Sequence, residues 1–280
     1  MIEVIDRIPT YPGRVKLTPV AGQENTYDMM RADAPIEAGT PINKALFDSY
    51  RNKVNFVAQN VDNKLFELSQ RVQVGSLANG AVFGLYENGV LTPYIKVNNT
   101  YHSQAYVLVV RLDIVTMMSL YDTSGTSEYK NSNIDRWLEG EFFDTLDTPT
   151  KSVISSVSVP IVNSNAVSTT ISRKVFLLSN PEYGVNLPGG VHHFGVAVPY
   201  FNTADRRISR YEGTPSNYYS RSHGLGTNWA CVILADGVSS EVVSEKTVSG
   251  VRPAFTLPAA YEVTTAVPST ANAMATAEVI

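Results

Sequence analysis

An α+β fold is predicted, in the order strand-bearing arm, long helix, β-rich head. Three features of the sequence predict it. Proline and glycine crowd residues 1–39, neither occurs between Pro41 and Gly75, and from Gly75 onward short apolar runs alternate with turn residues.

The arm holds Pro9, Pro12, Pro19 and Pro35 with Gly13, Gly22 and Gly39, around apolar runs at 1–8 and 14–20. A proline inside a helix removes a hydrogen bond and clashes with the preceding turn, so the arm reads as short strands. Thr40 and Pro41 then supply a helix N-cap and a first-turn proline. Leu46, Tyr50, Val54, Val57, Val61, Leu65, Leu68 and Val72 recur at intervals of 4, 4, 3, 4, 4, 3 and 4. Those intervals average about 3.67 residues per turn, which keeps the stripe on one face of a nearly straight helix. A helix of about 33 residues would be about 50 Å long. Asn52, Asn55, Gln59, Asp62, Asn63, Glu67 and Gln70 make its other face polar. A long helix with a narrow apolar seam is marginal alone, so residues 40–74 are expected to form a parallel bundle through those eight apolar positions. The alternative is packing along the chain's own head.

From residue 75 the texture is β-type, with runs at 81–86, 91–97, 106–112, 153–162, 175–178, 229–234 and 251–257. Glu87-Asn88-Gly89 and Ala235-Asp236-Gly237 are hairpin-type connections. One helix interrupts the strands, where Ile134, Trp137, Leu138 and Phe142 share a side at helical spacing. The head spans 75–258, and 259–280, rich in Ala, Thr and Ser, is expected to be a tail or an extended strand.

Apolar residues at 44% suffice for a core, and charged residues at 17% are too few for a disordered chain. A net charge of -4 spread over mixed-sign segments creates no field that gathers nucleic acid. No signal-peptide pattern opens the sequence, and no apolar stretch reaches the roughly 18 residues of a membrane span. Cys231 is the single cysteine, so neither an intrachain disulfide nor a cysteine metal cluster can form. Folding in a reducing cytoplasm is expected.

The order of motifs in the head carries a resemblance. Tyr129-Lys-Asn-Ser-Asn-Ile-Asp-Arg-Trp-Leu138 with Phe143, Lys174-Val-Phe-Leu-Leu-Ser179 with Glu182-Tyr183, Tyr218-Tyr-Ser-Arg-Ser222, Trp229-Ala-Cys-Val232, Asp236-Gly237 and Gly250-Val-Arg-Pro-Ala-Phe-Thr-Leu257 form one series. It resembles the C-type-lectin-like domains of the formylglycine-generating-enzyme type that end many phage and bacterial surface proteins. Separately, Ile5-Asp-Arg-Ile-Pro-Thr-Tyr-Pro-Gly-Arg14 and Ala38-Gly-Thr-Pro-Ile-Asn-Lys-Ala-Leu-Phe47 resemble the N-terminal arm of tail or fibre proteins in phages of Gram-positive bacteria.

Together these resemblances imply a virion protein assembled in a bacterial cytoplasm. Residues 1–39 would dock to other tail or head proteins, the helix would form a homotrimer as fibres commonly do, and a C-type-lectin-like head would bind a host receptor, protein or glycan. A purely structural tail, baseplate or head-surface part is the alternative. The resemblance makes Arg136, Trp137, Arg221, Arg252 and Pro253 framework, with a core tryptophan and loop-fixing guanidinium groups, and turns the loops at 223–228 and 238–249 outward. Tyr218 and Tyr219 stand where relatives often have tryptophans.

Catalysis and cofactors are not expected. The oxidase chemistry of the resembling enzymes needs a cysteine pair, and Cys231 sits alone between Ala230 and Val232. The calcium triplets of sugar-binding relatives are absent, and Asn228-Trp229-Ala230 lacks the carboxylate a hard cation requires. The segment 122–128 places Asn133 at the twelfth position, where a calcium loop needs a bidentate Glu, so it reads as a turn. His192 and His193, adjacent on a strand, would face opposite sides, and no nucleophile elbow or phosphate loop surrounds Gly224-Leu-Gly226. What remains is an aromatic surface between 183 and 229. Phe194, Tyr200 and Phe201 are expected in the core, whereas Tyr218, Tyr219, His223, Asn228 and Trp229 are the expected receptor-binding residues, since rigid amphipathic rings give large contact at low entropy cost.

Overall fold

The structure, a computed structural model, describes residues 15–24, 27–31, 44–102, 104–120, 128–162, 167–185, 194–224, 229–238, 240–244 and 246–267. It divides into two units, Met1–Lys64 and Leu65–Ile280. In the first, β1 (Val15–Pro19) and β2 (Tyr27–Arg31) form an antiparallel hairpin, with Val15 opposite Arg31 and Pro19 opposite Tyr27. The arm motifs at 5–14 and most of 38–47 lie outside the described residues.

Helix α1 (Lys44–Ser69) has 26 residues, about 39 Å at about 1.5 Å per residue. Its end corrects the expected boundary. Arg71–Gln73 is a strand in which Val72 stands opposite Val263 and packs on the core. Val72 fits the stripe by spacing alone; being β-branched, it suits the pleated surface it joins. Within the chain Tyr50, Val54, Val57, Val61 and Leu65 are all exposed, from 44% to 65%. The side chains of Leu46 and Leu68 are outside the described set.

Strands dominate: among the described residues there are eighteen, against α1 and four helices of six residues or fewer. The expected α+β chain built around a long trimerising helix is therefore corrected to a mainly β fold.

In the second unit β3 (Arg71–Gln73), β4 (Val82–Glu87), β5 (Val90–Asn98), β6 (Tyr106–Arg111) and β7 (Thr116–Ser119) precede a helical segment. That segment comprises α2 (Asn133–Trp137), a π turn over Leu138–Phe142, α3 (Phe143–Thr145) and α4 (Thr148–Val153). Next come β8 (Val157–Val162), β9 (Ser168–Arg173), β10 (Val175–Phe176), α5 (Ala204–Arg207), β11 (Arg210–Tyr211) and β12 (Thr214–Pro215). The unit ends with β13 (Tyr218–His223), β14 (Trp229–Ile233), β15 (Ser240–Ser244), β16 (Val248–Val251), β17 (Ala254–Pro258) and β18 (Glu262–Thr264).

Local chemistry explains the joints. Asn88 and Gly89 adopt φ +49 and +79, the paired left-handed geometry of a two-residue hairpin turn, and set Glu87 opposite Val90. The Ser132 hydroxyl accepts from Asp135 N at 3.1 Å to cap α2, and Asp147 accepts from Thr150 N at 3.2 Å to cap α4.

Two sheets carry the core. Seven antiparallel strands run in the order β10-β17-β6-β5-β4-β18-β3. At its middle Tyr94, Val97, Val107, Leu108, Val109 and Val110 have no exposure, so both faces are covered. Five strands run β15-β14-β13-β16-β7, with one parallel pair, β13 and β16.

The run expected as one strand at 251–257 is two. The chain leaves the five-stranded sheet after Val251 and enters the seven-stranded sheet at Ala254. Pro253, without an N–H, and Arg252 make the passage. Arg252 has no exposure, donates from Nε to Arg111 O at 3.0 Å, and lies over the rings of Phe201 and Tyr218 at 5.6 and 5.5 Å. Finally β18, inside the segment expected as a tail or an extended strand, pairs with β3 and with β4, closing the unit's last strand on its first.

Candidate functional site

Tyr218-Tyr-Ser-Arg-Ser-His223 shows no apolar alternation, and all six residues of β13 are buried. Tyr218 and Tyr219 have no exposure: the first donates to Arg207 O at 2.6 Å, the second to Thr247 O. Burial pushes the Tyr218 hydroxyl pKa up, keeping it a donor. His223 is 6% exposed, with Nδ1 against Gly224 O. These three residues are corrected from display to support, because each aromatic tip is spent on the backbone. Asn228 lies outside the described residues.

Among the described residues of the expected set, Trp229 alone faces outward, 45% exposed, while 230–233 behind it have no exposure. Its carbonyl accepts from Gly224 N at 3.1 Å, and it stands opposite Ser244. Thr247 N donates to Ser244 O at 2.8 Å, and the next residue, Val248, is 60% exposed. Tyr219 thus pins the turn that follows β15 beside Trp229. Phe194, expected in the core, is 47% exposed, whereas Tyr200 and Phe201 are buried as expected.

Beneath β13 lies an ion pair that sequence reasoning missed. Glu182, 1% exposed, accepts from Arg221 Nη1 at 2.5 Å and Nη2 at 2.6 Å, and from Ser179 N at 2.9 Å. Arg221 also donates to Leu177 O at 2.6 Å and Pro160 O at 2.9 Å, so one guanidinium joins β8, the exit of β10, the 179–185 turn and β13. Burial pulls the Glu182 pKa up, but the Arg221 charge and hydrogen bonds from His102, Arg221 and Ser179 outweigh it and hold the carboxyl below its ordinary range.

From the loop after β5, Tyr101 OH reaches Glu182 Oε1 at 3.3 Å and His102 Nε2 lies 3.1 Å from the same oxygen. A pocket of about 280 Å³ opens there, lined by Asn98, Thr100, His102, Glu182, Val196 and Val198 among others. Glu182 was legible only as part of a motif, and nothing local marks His102.

The framework expected from resemblance holds in part. Arg221 and Arg252 are buried anchors. Arg136 is exposed and donates to Asn131 O at 2.6 Å and Asn133 Oδ1 at 3.0 Å, fixing the turn that leads into α2. Trp137 is partly buried, packs on the core against Phe142 at 5.5 Å, and also lines a concavity of about 460 Å³. Cys231 has no exposure, and burial pushes its pKa up to about 12, far from a reactive thiolate. Among the described residues no group of three or more His, Cys, Asp or Glu is placed to hold a metal, and no helix is long and apolar enough to cross a membrane.

Residues 104–259, more than half of the chain, match the family described as Domain of unknown function (DUF6273). The chain belongs to that family. The DUF6273 region takes in the whole five-stranded sheet, Glu182, Arg221 and Trp229, and leaves β3, β4, β5 and β18 outside. No curated protein and no solved structure matches the chain.

Proposed function

We propose that this DUF6273 protein is a phage virion component whose β-rich head binds a receptor, protein or glycan, on the host envelope. The observation that carries the reading is Trp229, left 45% exposed on a strand whose next four residues have none. An aromatic anchored on a rigid base is the kind of residue that dominates binding energy, because little entropy is lost on contact. The arm at 1–39 attaches to other virion proteins in this reading. Several copies of the chain on one particle let weak single-head contacts act together by avidity.

Adsorption of the purified chain to host cells tests the proposal. Trp229→Ala is expected to abolish adsorption with an unchanged Tm, because the side chain supports nothing in the core. Adsorption that survives Trp229→Ala refutes this surface. An enclosed position in labelled particles favours a purely structural part.

A further inference from the structure

We propose that the pocket between residues 98–102 and 196–198 is a binding site for one neutral sugar ring. The inference stands apart from the virion reading, and one of its walls lies outside the family region.

His102 adopts φ +45, a left-handed conformation that a non-glycine residue holds only when its surroundings over-determine it. Two contacts do so: its ring packs edge-on against Tyr101 at 4.3 Å, and Nε2 meets Glu182 at 3.1 Å. A carboxylate only accepts, so Nε2 donates to it and Nδ1 is the remaining polar atom of the ring. Among the described residues no protein group meets Nδ1, the Thr100 hydroxyl or the Asn98 side-chain nitrogen, and all three residues line the pocket.

An imidazole nitrogen, a hydroxyl and an amide together offer donors and acceptors without charge. The charge of Glu182 is already matched by the two-pronged contact from Arg221. An ionic ligand therefore gains little, and a ring of hydroxyl groups matches the pattern. Tyr101, Leu108 and Val198, each 5% exposed or less, give an apolar floor for the C–H face of such a ring. A volume of about 280 Å³ suits one ring rather than a chain.

Saturation-transfer NMR and calorimetry on the full chain, with methyl glycosides of neutral hexoses, a uronic acid and an amino sugar, test the site. A neutral glycoside is expected to bind with a Kd of about 1 mM. His102→Ala and Thr100→Val are each expected to weaken it about tenfold. Thr100 is exposed, so its variant keeps the test decisive where His102→Ala fails to fold. Absence of transfer from every neutral glycoside, preference for the charged sugars, or binding that survives Thr100→Val overturns the inference.

Discussion

Replacing Arg221 by Met removes a guanidinium that is 3% exposed and satisfies Pro160 O, Leu177 O and both oxygens of Glu182. The Glu182 carboxylate would then remain buried without its cation. Breaking a buried pair from one side costs about 3–5 kcal/mol, and each abandoned carbonyl adds about 1 kcal/mol. A loss of about 5 kcal/mol should lower the Tm by about 10–20 °C in a unit of this size. Urea titration followed by the fluorescence of Trp137 and Trp229 measures it. Adding Glu182→Leu removes the stranded charge and should recover about 3 kcal/mol. The pH dependence reverses as well. In the native protein the Glu182 pKa lies below its ordinary 4.5, so its stabilisation is present above that value and is lost as pH falls through the folded pKa. Without Arg221 burial wins, the folded pKa rises, and stability is lost as pH climbs, so the gap between native and variant widens from about pH 4 to about pH 7. A loss below about 1.5 kcal/mol, or a double variant no better than the single, refutes the reasoning.

Gly237→Ala should cost about 3 kcal/mol or more, because φ +68 strains an alanine and its Cβ would fall 2.2 Å from Ala204 O; a Tm within a few degrees of the native value contradicts this. Cys231 should resist thiol reagents at neutral pH until the chain is denatured, and rapid labelling of the native protein would disprove its burial. Because its pKa rises from 9.0 to about 12, its stabilising share is complete below pH 9.0 and disappears as pH climbs toward 12.

Much of the β framework was legible because local rules sufficed. Asn88-Gly89 announces its turn, and the runs leading to β4, β5, β6 and β14 are apolar enough to mark strands. The failures share a cause in long-range packing. Tyr218 and Tyr219 have the chemistry of display residues, and only the carbonyls of Arg207 and Thr247 reveal them as buried ties. The passage at Arg252-Pro253 hides inside an unbroken apolar run, since apolarity does not say which sheet a strand joins. Val72 satisfies helical spacing and strand propensity together, and its partner Val263 lies far along the chain. His102 and Glu182 are 80 residues apart, so no spacing rule joins them. The head's resemblance implied guanidinium groups that fix loops by hydrogen bonds; Arg221 and Arg252 do so from the buried interior, and Arg136 ties its own turn from an exposed position.

The closure of β18 on β3 decides how the second unit bears a mechanical load. Arg71 pairs with Thr264 and Gln73 with Glu262, so the two chain ends leave this seam on the same side. Tension between residues 70 and 265 would open the ladder like a zipper, one rung at a time, which takes little force.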